Sequence, residues 1–227
     1  MAEQRARRKR RGAYHHGDLR RALLDESIRT IRDGGVDALT LRAAGAKLGV
    51  SRTALYRHFA DKGALLTAVA TEGFRMLRER LIEGWTRHGG GRSGFDEMGR
   101  AYVAFAVANP AHYRVMFGGF VRGRGDADLE REALGAFQAL VDALAAQQRD
   151  GLVQDDDPVA LARFVWAVVH GVAMLVIDRQ LHDDVAETMA EYAIERVHSG
   201  IGVVKAAEAS EDADRPRRRR GHEDARR

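Results

Sequence analysis

Apolar residues recur at every third or fourth position over most of the chain, and no alternating apolar and polar run stands out, a pattern that predicts helices and no strand. The first helix is expected from about Asp18 to Asp33, with Leu24, Ile28 and Ile31 on one face and Gly34-Gly35 as the stop. Thr40 then has the character of an N-cap for a short helix carrying Leu41, Ala44 and Leu48, which Gly49 closes. Ser51 caps the next helix, Arg52 to about Phe59, which buries Leu55 and Phe59. Asp61 opens a much longer fourth helix with apolar positions at Leu66, Ala70, Phe74, Leu77, Leu81 and Trp85, running to the loop Gly89-Gly90-Gly91. Further helices are expected at about 95–109, 110–117, 127–149, 158–181 and 184–199, with Gly118 to Asp126 as a mobile connection.

The fold class that follows is all-α. Its 227 residues divide into a basic arm (1–13), a small N-terminal domain (14–63), a larger helical body (64–204) and a tail (205–227) without large apolar residues, expected to be disordered. Charge follows the same division. Residues 1–63 hold 15 Lys and Arg against 7 Asp and Glu, whereas residues 64–204 hold 14 against 20. A basic module on an acidic body suggests that one part binds a polyanion and the other does something else, although charge alone fits a solvated surface equally well. With no cysteine in the chain, disulfides, thiolate zinc sites and cysteine nucleophiles are excluded. The basic start lacks the apolar run of a secretory signal. The apolar stretch Phe164 to Ile177 is shorter than the ~20 residues that cross a bilayer and contains His170, so it is expected to be a buried helix and the protein cytoplasmic.

Two short helices separated only by Gly49-Val50-Ser51 must cross steeply, because the glycine ends one where the serine starts the next. That is the helix-turn-helix pattern. Val50 is expected to pack with Leu48 and Leu55 at the crossing. The second helix then presents Arg52, Thr53, Tyr56 and Arg57 outward, a face of hydrogen-bond donors suited to a major groove. Ordinary helical hairpins share this spacing.

The residues around the turn are more specific. Tyr14-His15-His16-Gly17-Asp18-Leu19, Ala38-Leu39-Thr40-Leu41-Arg42, Leu48-Gly49-Val50-Ser51, Ala54-Leu55-Tyr56-Arg57-His58-Phe59 and Asp61-Lys62-Gly63-Ala64-Leu65-Leu66 together resemble the DNA-binding domain of the tetracycline-repressor (TetR) family. One departure is Gly45, where the family usually carries alanine; it keeps a close helix contact at a propensity cost of about 1 kcal/mol. The resemblance implies that Arg42, Arg52, Thr53 and Arg57 lie near base edges and that Ser51, Tyr56, His58 and Lys62 lie near phosphates. Guanidinium groups can pair bidentately with guanine, which agrees for Arg52 and Arg57. Tyr56 as a packing residue and His58 as a structural histidine remain open, as does whether the Arg5–Arg11 arm follows the minor groove or is only solvated.

In the body, Trp166, His170, Met174 and Ile177 share one helix face, and Phe164, Val165, Val168, Val172 and Leu175 fill most of the others. A helix apolar all round must be covered on several sides, one of which can meet a partner subunit and another line a cavity. The Trp166 and His170-Gly171 pattern, with the run Asn109 to Phe117 upstream, resembles the Trp-His-Gly type of TetR-family C-terminal domain. The helices at 158–181 and 184–199, with Val185, Met189 and Tyr192 on the second, are expected to pair in a homodimer on a palindromic double-stranded DNA operator; the resemblance favours repression over activation, a choice the residues leave open, with release when a small-molecule effector binds. Phe74, Tyr113, Phe117, Trp166 and His170 are the candidate effector residues; a core tryptophan with a hydrogen-bonded histidine explains the last two as well.

No cofactor or metal is expected. An enzyme would have to use His15, His16 and Asp18, or His182, Asp183 and Asp184, and neither group has a second ligand pair at a telling spacing. Asp183 or Asp184 is better explained as a helix cap. A non-specific, nucleoid-like DNA binder would account for the arm and the basic tail but not for the large acidic, apolar body.

Overall fold

The computed structural model describes residues 19–121, 125–181 and 183–203, with the backbone alone at 183, 184, 186 and 187. The basic arm, Tyr14 to Asp18 with His15 and His16, His182, the side chains of Asp183 and Asp184, and the 205–227 tail lie outside the described residues. Nine α-helices and no strand are described: α1 (Leu19–Gly34), α2 (Leu41–Leu48), α3 (Arg52–His58), α4 (Lys62–Arg87), α5 (Gly91–Ala108), α6 (Pro110–Phe117), α7 (Ala127–Arg149), α8 (Pro158–Ile177) and α9 (Asp183–Ile201).

Local chemistry sets most of the boundaries. Thr40, Ser51 and Asp61 each accept the backbone N–H three residues on, at 3.1, 3.2 and 2.6 Å, and so start α2, α3 and α4. Asp126 does the same for α7, Asp157 caps α8 by accepting the Val159 N–H two residues on, and Pro110 and Pro158 sit in first turns where their missing N–H costs nothing. Gly49 ends α2 at φ +68°, a conformation L side chains rarely adopt. A single 3₁₀ turn, Val36–Ala38, follows α1, which the apolar spacing does not predict.

Two helices depart from the predicted ends by four residues. The fifth starts at Gly91 rather than near residue 95, because Gly89 and Gly90 suffice for the reversal and Gly94 lets α5 lie against α4. A Cβ on Gly94 would stand 2.8 Å from the Trp85 carbonyl oxygen. The helix predicted to reach residue 181 ends at Ile177, where Asp178, Gln180 and Leu181 turn back onto carbonyls of α8. At its other end α8 begins six residues before Phe164. Its 20 residues are therefore long and apolar enough to cross a membrane by composition, longer than the apolar run suggests. Leu161, Ala162, Val165, Val169, Val172 and Ala173 of α8 are nonetheless buried against α5, α7 and α9.

The long helix α4 is the spine. It packs on α1 at its start and on α5, α6 and α7 along its length. One continuous apolar cluster runs from Leu23, Ile31 and Leu39 through Leu65, Leu66 and Val69 to Tyr113, Leu144 and Ile201. The expected boundary after residue 63 falls inside the first turn of α4, where this core has no gap. An isolated bridge between Val153 and Gly202 ties the loop after α7 to the end of α9.

Candidate DNA-binding face and effector cavity

The helix-turn-helix is held from three sides. Leu55 of α3 is buried, and a Cβ on Gly45 would lie 3.2 Å from Leu55 Cδ2 and 3.5 Å from Val50 Cγ2, so the glycine lets α2 and α3 cross closely. Val50 N–H donates to the Gly45 carbonyl at 3.1 Å, which completes the turn. Behind it, the buried carboxylate of Glu26 on α1 takes Lys47 Nζ of α2 and Arg29, both at 2.9 Å. Burial alone raises the pKa of Glu26, but the Lys47 bond and the neighbouring charges outweigh it and hold the carboxyl below its usual range.

Arg42, Ser51, Arg52, Thr53, Tyr56, Arg57 and His58 are all exposed on α2, α3 and the turn between them. Arg42, Arg52 and Arg57 have no acidic partner among the described residues. The Arg52 guanidinium lies 5.6 Å from the centre of the Tyr56 ring, which is itself 46% exposed, so Tyr56 faces solvent with Arg52 rather than packing inward. Ser51 Oγ is engaged in capping. Lys62 is different: it is half-buried, and its Nζ donates to the Val36 carbonyl at 2.8 Å, tying the start of α4 to the 3₁₀ turn. His58 stands at the edge of a polar cleft, with Arg20 and Phe59, that separates the N-terminal helices from α7.

The module and the body are also joined by charge. Arg21 of α1 reaches Glu72 of α4 at 2.7 Å and Asp25 at 2.6 Å, and Nε2 of the buried His112 on α6 lies 3.6 Å from the other Glu72 oxygen. His112 first, and then Arg21, outweigh the cost of burying Glu72 and hold its carboxyl at about 2. Gly73 makes the same junction possible sterically, since a Cβ there would meet Met116 of α6 at 2.5 Å.

Within the body lies an apolar cavity of about 490 Å³. Of the candidate effector residues, Phe74, Phe117 and Trp166 line it, together with Phe95, Met98, Tyr102, Phe137 and Arg163. Tyr113 and His170 stand behind this wall rather than in it; Tyr113 is completely buried. They belong to a hydrogen-bonded chain. Trp166 Nε1–H donates to Tyr102 Oη at 3.0 Å, Tyr102 and Tyr113 hydroxyls lie 2.9 Å apart, and Tyr113 Oη is 2.7 Å from His170 Nδ1. The indole can only donate, so Trp166 gives to Tyr102; an order that then uses both hydroxyl protons runs Tyr102 to Tyr113 and Tyr113 to His170 Nδ1, with Tyr102 Oη also 3.1 Å from that nitrogen. That order requires a neutral imidazole with its proton on Nε2. Burial favours this form by lowering the His170 pKa, and it pushes the Tyr102 hydroxyl up to about 12 and Tyr113 higher still. Tyr102, which joins the cavity to this chain, does not stand out in the sequence. Its signal is a tyrosine on the buried stripe Phe95, Met98, Tyr102, Phe105, where a hydroxyl must find a partner.

Comparisons with known proteins agree with this geometry. Residues 23–69 match the family described as bacterial regulatory proteins, tetR family, and residues 95–197 match the tetracyclin repressor-like C-terminal domain. The latter description does not name the Trp-His-Gly type. The HTH-type transcriptional repressor Rv1474c of Mycobacterium tuberculosis is 30% identical over 155 residues, covering 66% of this chain and 76% of the relative. The chain belongs to the TetR family of helix-turn-helix transcriptional regulators. The regulator Rv0472c of the same organism is 37% identical over 111 residues, but the match spans 47% of this chain and about half, 46%, of that relative. A protein of unknown function from Rhodococcus sp. RHA1 shares the fold with a TM-score of 0.76 and 29% identity, over 84% of this chain and 99% of that one. The named relatives are regulators, not enzymes. Among the described residues no three His, Asp or Glu side chains gather as a metal site.

Proposed function

We propose that this regulator binds a palindromic DNA operator through α2 and α3 as a homodimer, represses from it, and is released when a small apolar effector enters the cavity between α4, α5, α7 and α8. The observation that supports the DNA-binding assignment is the exposed set Arg42, Arg52 and Arg57, cations without acidic partners among the described residues, on a helix pair whose Leu41, Ala44, Gly45 and Leu55 are buried and whose Thr40 and Ser51 cap. Arg52 and Arg57 read base edges with Thr53, while Ser51, Tyr56 and His58 approach phosphates. Lys62 contributes a positive charge near the backbone while its bond to Val36 holds the start of α4.

The dimer forms on α8 and α9. Phe164, Leu175, Val185 and Tyr192 are exposed large apolar residues on these two helices, and Gly171 lies among them with open space where a side chain would be. Met189 packs inward with Val103 and Val172 and so contributes less to this seam than Val185 and Tyr192. An apolar face of this kind on a soluble helical body is the usual mark of a subunit interface.

The deciding experiment is a competition binding assay against the protein's own promoter. Specific retention in the presence of excess unrelated DNA supports the operator reading; equal loss to any duplex favours a nucleoid-like binder. Sedimentation of the intact protein at micromolar concentration checks the dimer, and a monomer alone would sink that part.

A further inference from the structure

The cavity wall carries few polar atoms, and almost all of them are spent. Trp166 Nε1 and the Tyr102 hydroxyl are bonded to each other, and the hydroxyl is bonded onward to Tyr113. The exception is Arg163. It lies in α8 one turn before Trp166, is exposed, lines the cavity, and has no ion pair or hydrogen bond among the described residues. The same cavity is lined from α7 by Leu134, 67% exposed, and by Phe137, whose ring centre is 6.2 Å from that of Trp166, so Arg163 and Leu134 belong to its solvent-facing rim. Among the described residues the rim therefore sets one unpaired cation beside apolar side chains. A second cleft, between α1 and α7, has no such imbalance: Arg20 lies over the Phe59 ring, Arg75 pairs with Glu79, and Arg131 pairs with Asp128.

We infer that the effector is an amphipathic anion, a hydrocarbon tail ending in a carboxylate, with its tail in the chamber and its carboxylate on Arg163 at the opening. This rests on the reading of the cavity as the effector site. A charge carried inside would lose its hydration with nothing left to bond to, whereas at the opening it stays partly solvated and meets a fork of guanidinium donors that fits a carboxylate two bonds at a time. The aliphatic stem of Arg163 continues the apolar wall up to that point. A tail lengthened by one buried methylene should bind about fourfold more tightly until the chamber is full. A cationic head in the same place would be repelled.

The test uses the full chain and three probes of equal tail length, dodecanoate, 1-dodecanol and dodecyltrimethylammonium, each titrated below its micelle concentration. Wild-type protein should bind dodecanoate about three- to tenfold more tightly than dodecanol, and dodecyltrimethylammonium most weakly. Arg163→Gln should erase the gap between the first two without weakening dodecanol, and Arg163→Glu should invert the order so that the cation binds best. An exposed position makes both variants compatible with folding. Equal binding of dodecanoate and dodecanol by the wild type, or an unchanged order in Arg163→Glu, overturns the anionic assignment while leaving the chamber in place. No heat from any probe, with Trp85 and Trp166 fluorescence also unchanged, overturns the chamber and the assignment together. Dodecanoate that binds through Arg163 yet leaves DNA affinity unchanged upholds the site and removes its regulatory role.

Discussion

The two ends of the molecule spend their polar groups in opposite ways. On α2 and α3 Arg42, Arg52 and Arg57 are exposed and have no acidic partner among the described residues, while Thr40, Ser51 and Glu26, which do have partners, hold the scaffold. Around the cavity the arrangement is reversed: Tyr102, Tyr113, Trp166 and His170 satisfy one another, and the surface offered to a ligand is nearly all carbon. A surface that waits for a polyanion keeps its charges uncommitted, because each internal ion pair would have to be broken on binding. A chamber that waits for an apolar molecule must instead hide every polar atom, because each unpaired one would be left unpaired by the ligand as well.

The largest expected effect tests the inward half of that contrast. Tyr113→Ala removes a fully buried ring that contacts Phe117 and His170 and leaves two hydrogen-bonding atoms without it, and should cost about 3–5 kcal/mol in urea denaturation. A loss below about 1 kcal/mol would mean that the chain of hydroxyls relaxes onto water. Arg52→Ala probes the outward half: operator affinity should fall by ~1–3 kcal/mol, with specificity blurred at one base pair per half-site, and stability should stay within about 0.5 kcal/mol. Lys62 belongs to both halves. Lys62→Ala should lower stability by about 1 kcal/mol through the lost bond to Val36 and also reduce the salt dependence of DNA binding; a change in only one of the two would assign it to one side.

The smallest effect is confined to acid. Glu72 titrates at about 2 in the folded chain against 4.5 as an unperturbed carboxyl. A lowered folded pKa gives stability that is fully present above pH 4.5 and is lost as pH falls from there through 2. Glu72→Gln should therefore flatten the dependence of the urea midpoint on pH within that window, relative to the wild type. An unchanged slope would mean that Arg21 and His112 do not stabilise the ionised form.

Much of this was legible because it is written in local chemistry. Thr40, Gly49, Ser51 and Asp61 announce their helix ends by residue type alone: three cap with a side-chain oxygen and Gly49 turns through a positive φ. The outward face of α3 follows from which residues a seven-residue helix must bury, here Leu55. What stayed hidden depends on distant neighbours. Nothing near Lys62 in the sequence tells that its ammonium meets a carbonyl 26 residues earlier, and nothing near His170 tells that two tyrosines, 57 and 68 residues away, occupy its Nδ1. The cavity wall was found in part for the same reason. Phe74, Phe117 and Trp166 are large aromatics on apolar stripes, whereas Arg163 carries no apolar signal and becomes visible only once α7 and α8 are set side by side.

The unbroken core through α4 has a consequence for anyone wishing to borrow the DNA-reading part. Leu23, Leu39 and Phe59 share their packing with Leu65, Leu66 and Val69, which lie on the same rigid rod that supports the cavity. A fragment cut after Gly63 would carry the reading surface intact in sequence and leave its underside bare, so it would behave as a sticky, marginal peptide rather than a transferable cassette. A working chimera has to inherit the rod as far as Gly73, where α6 lies against it, and the exchange of specificity is better made by changing the outward residues of α3 in place.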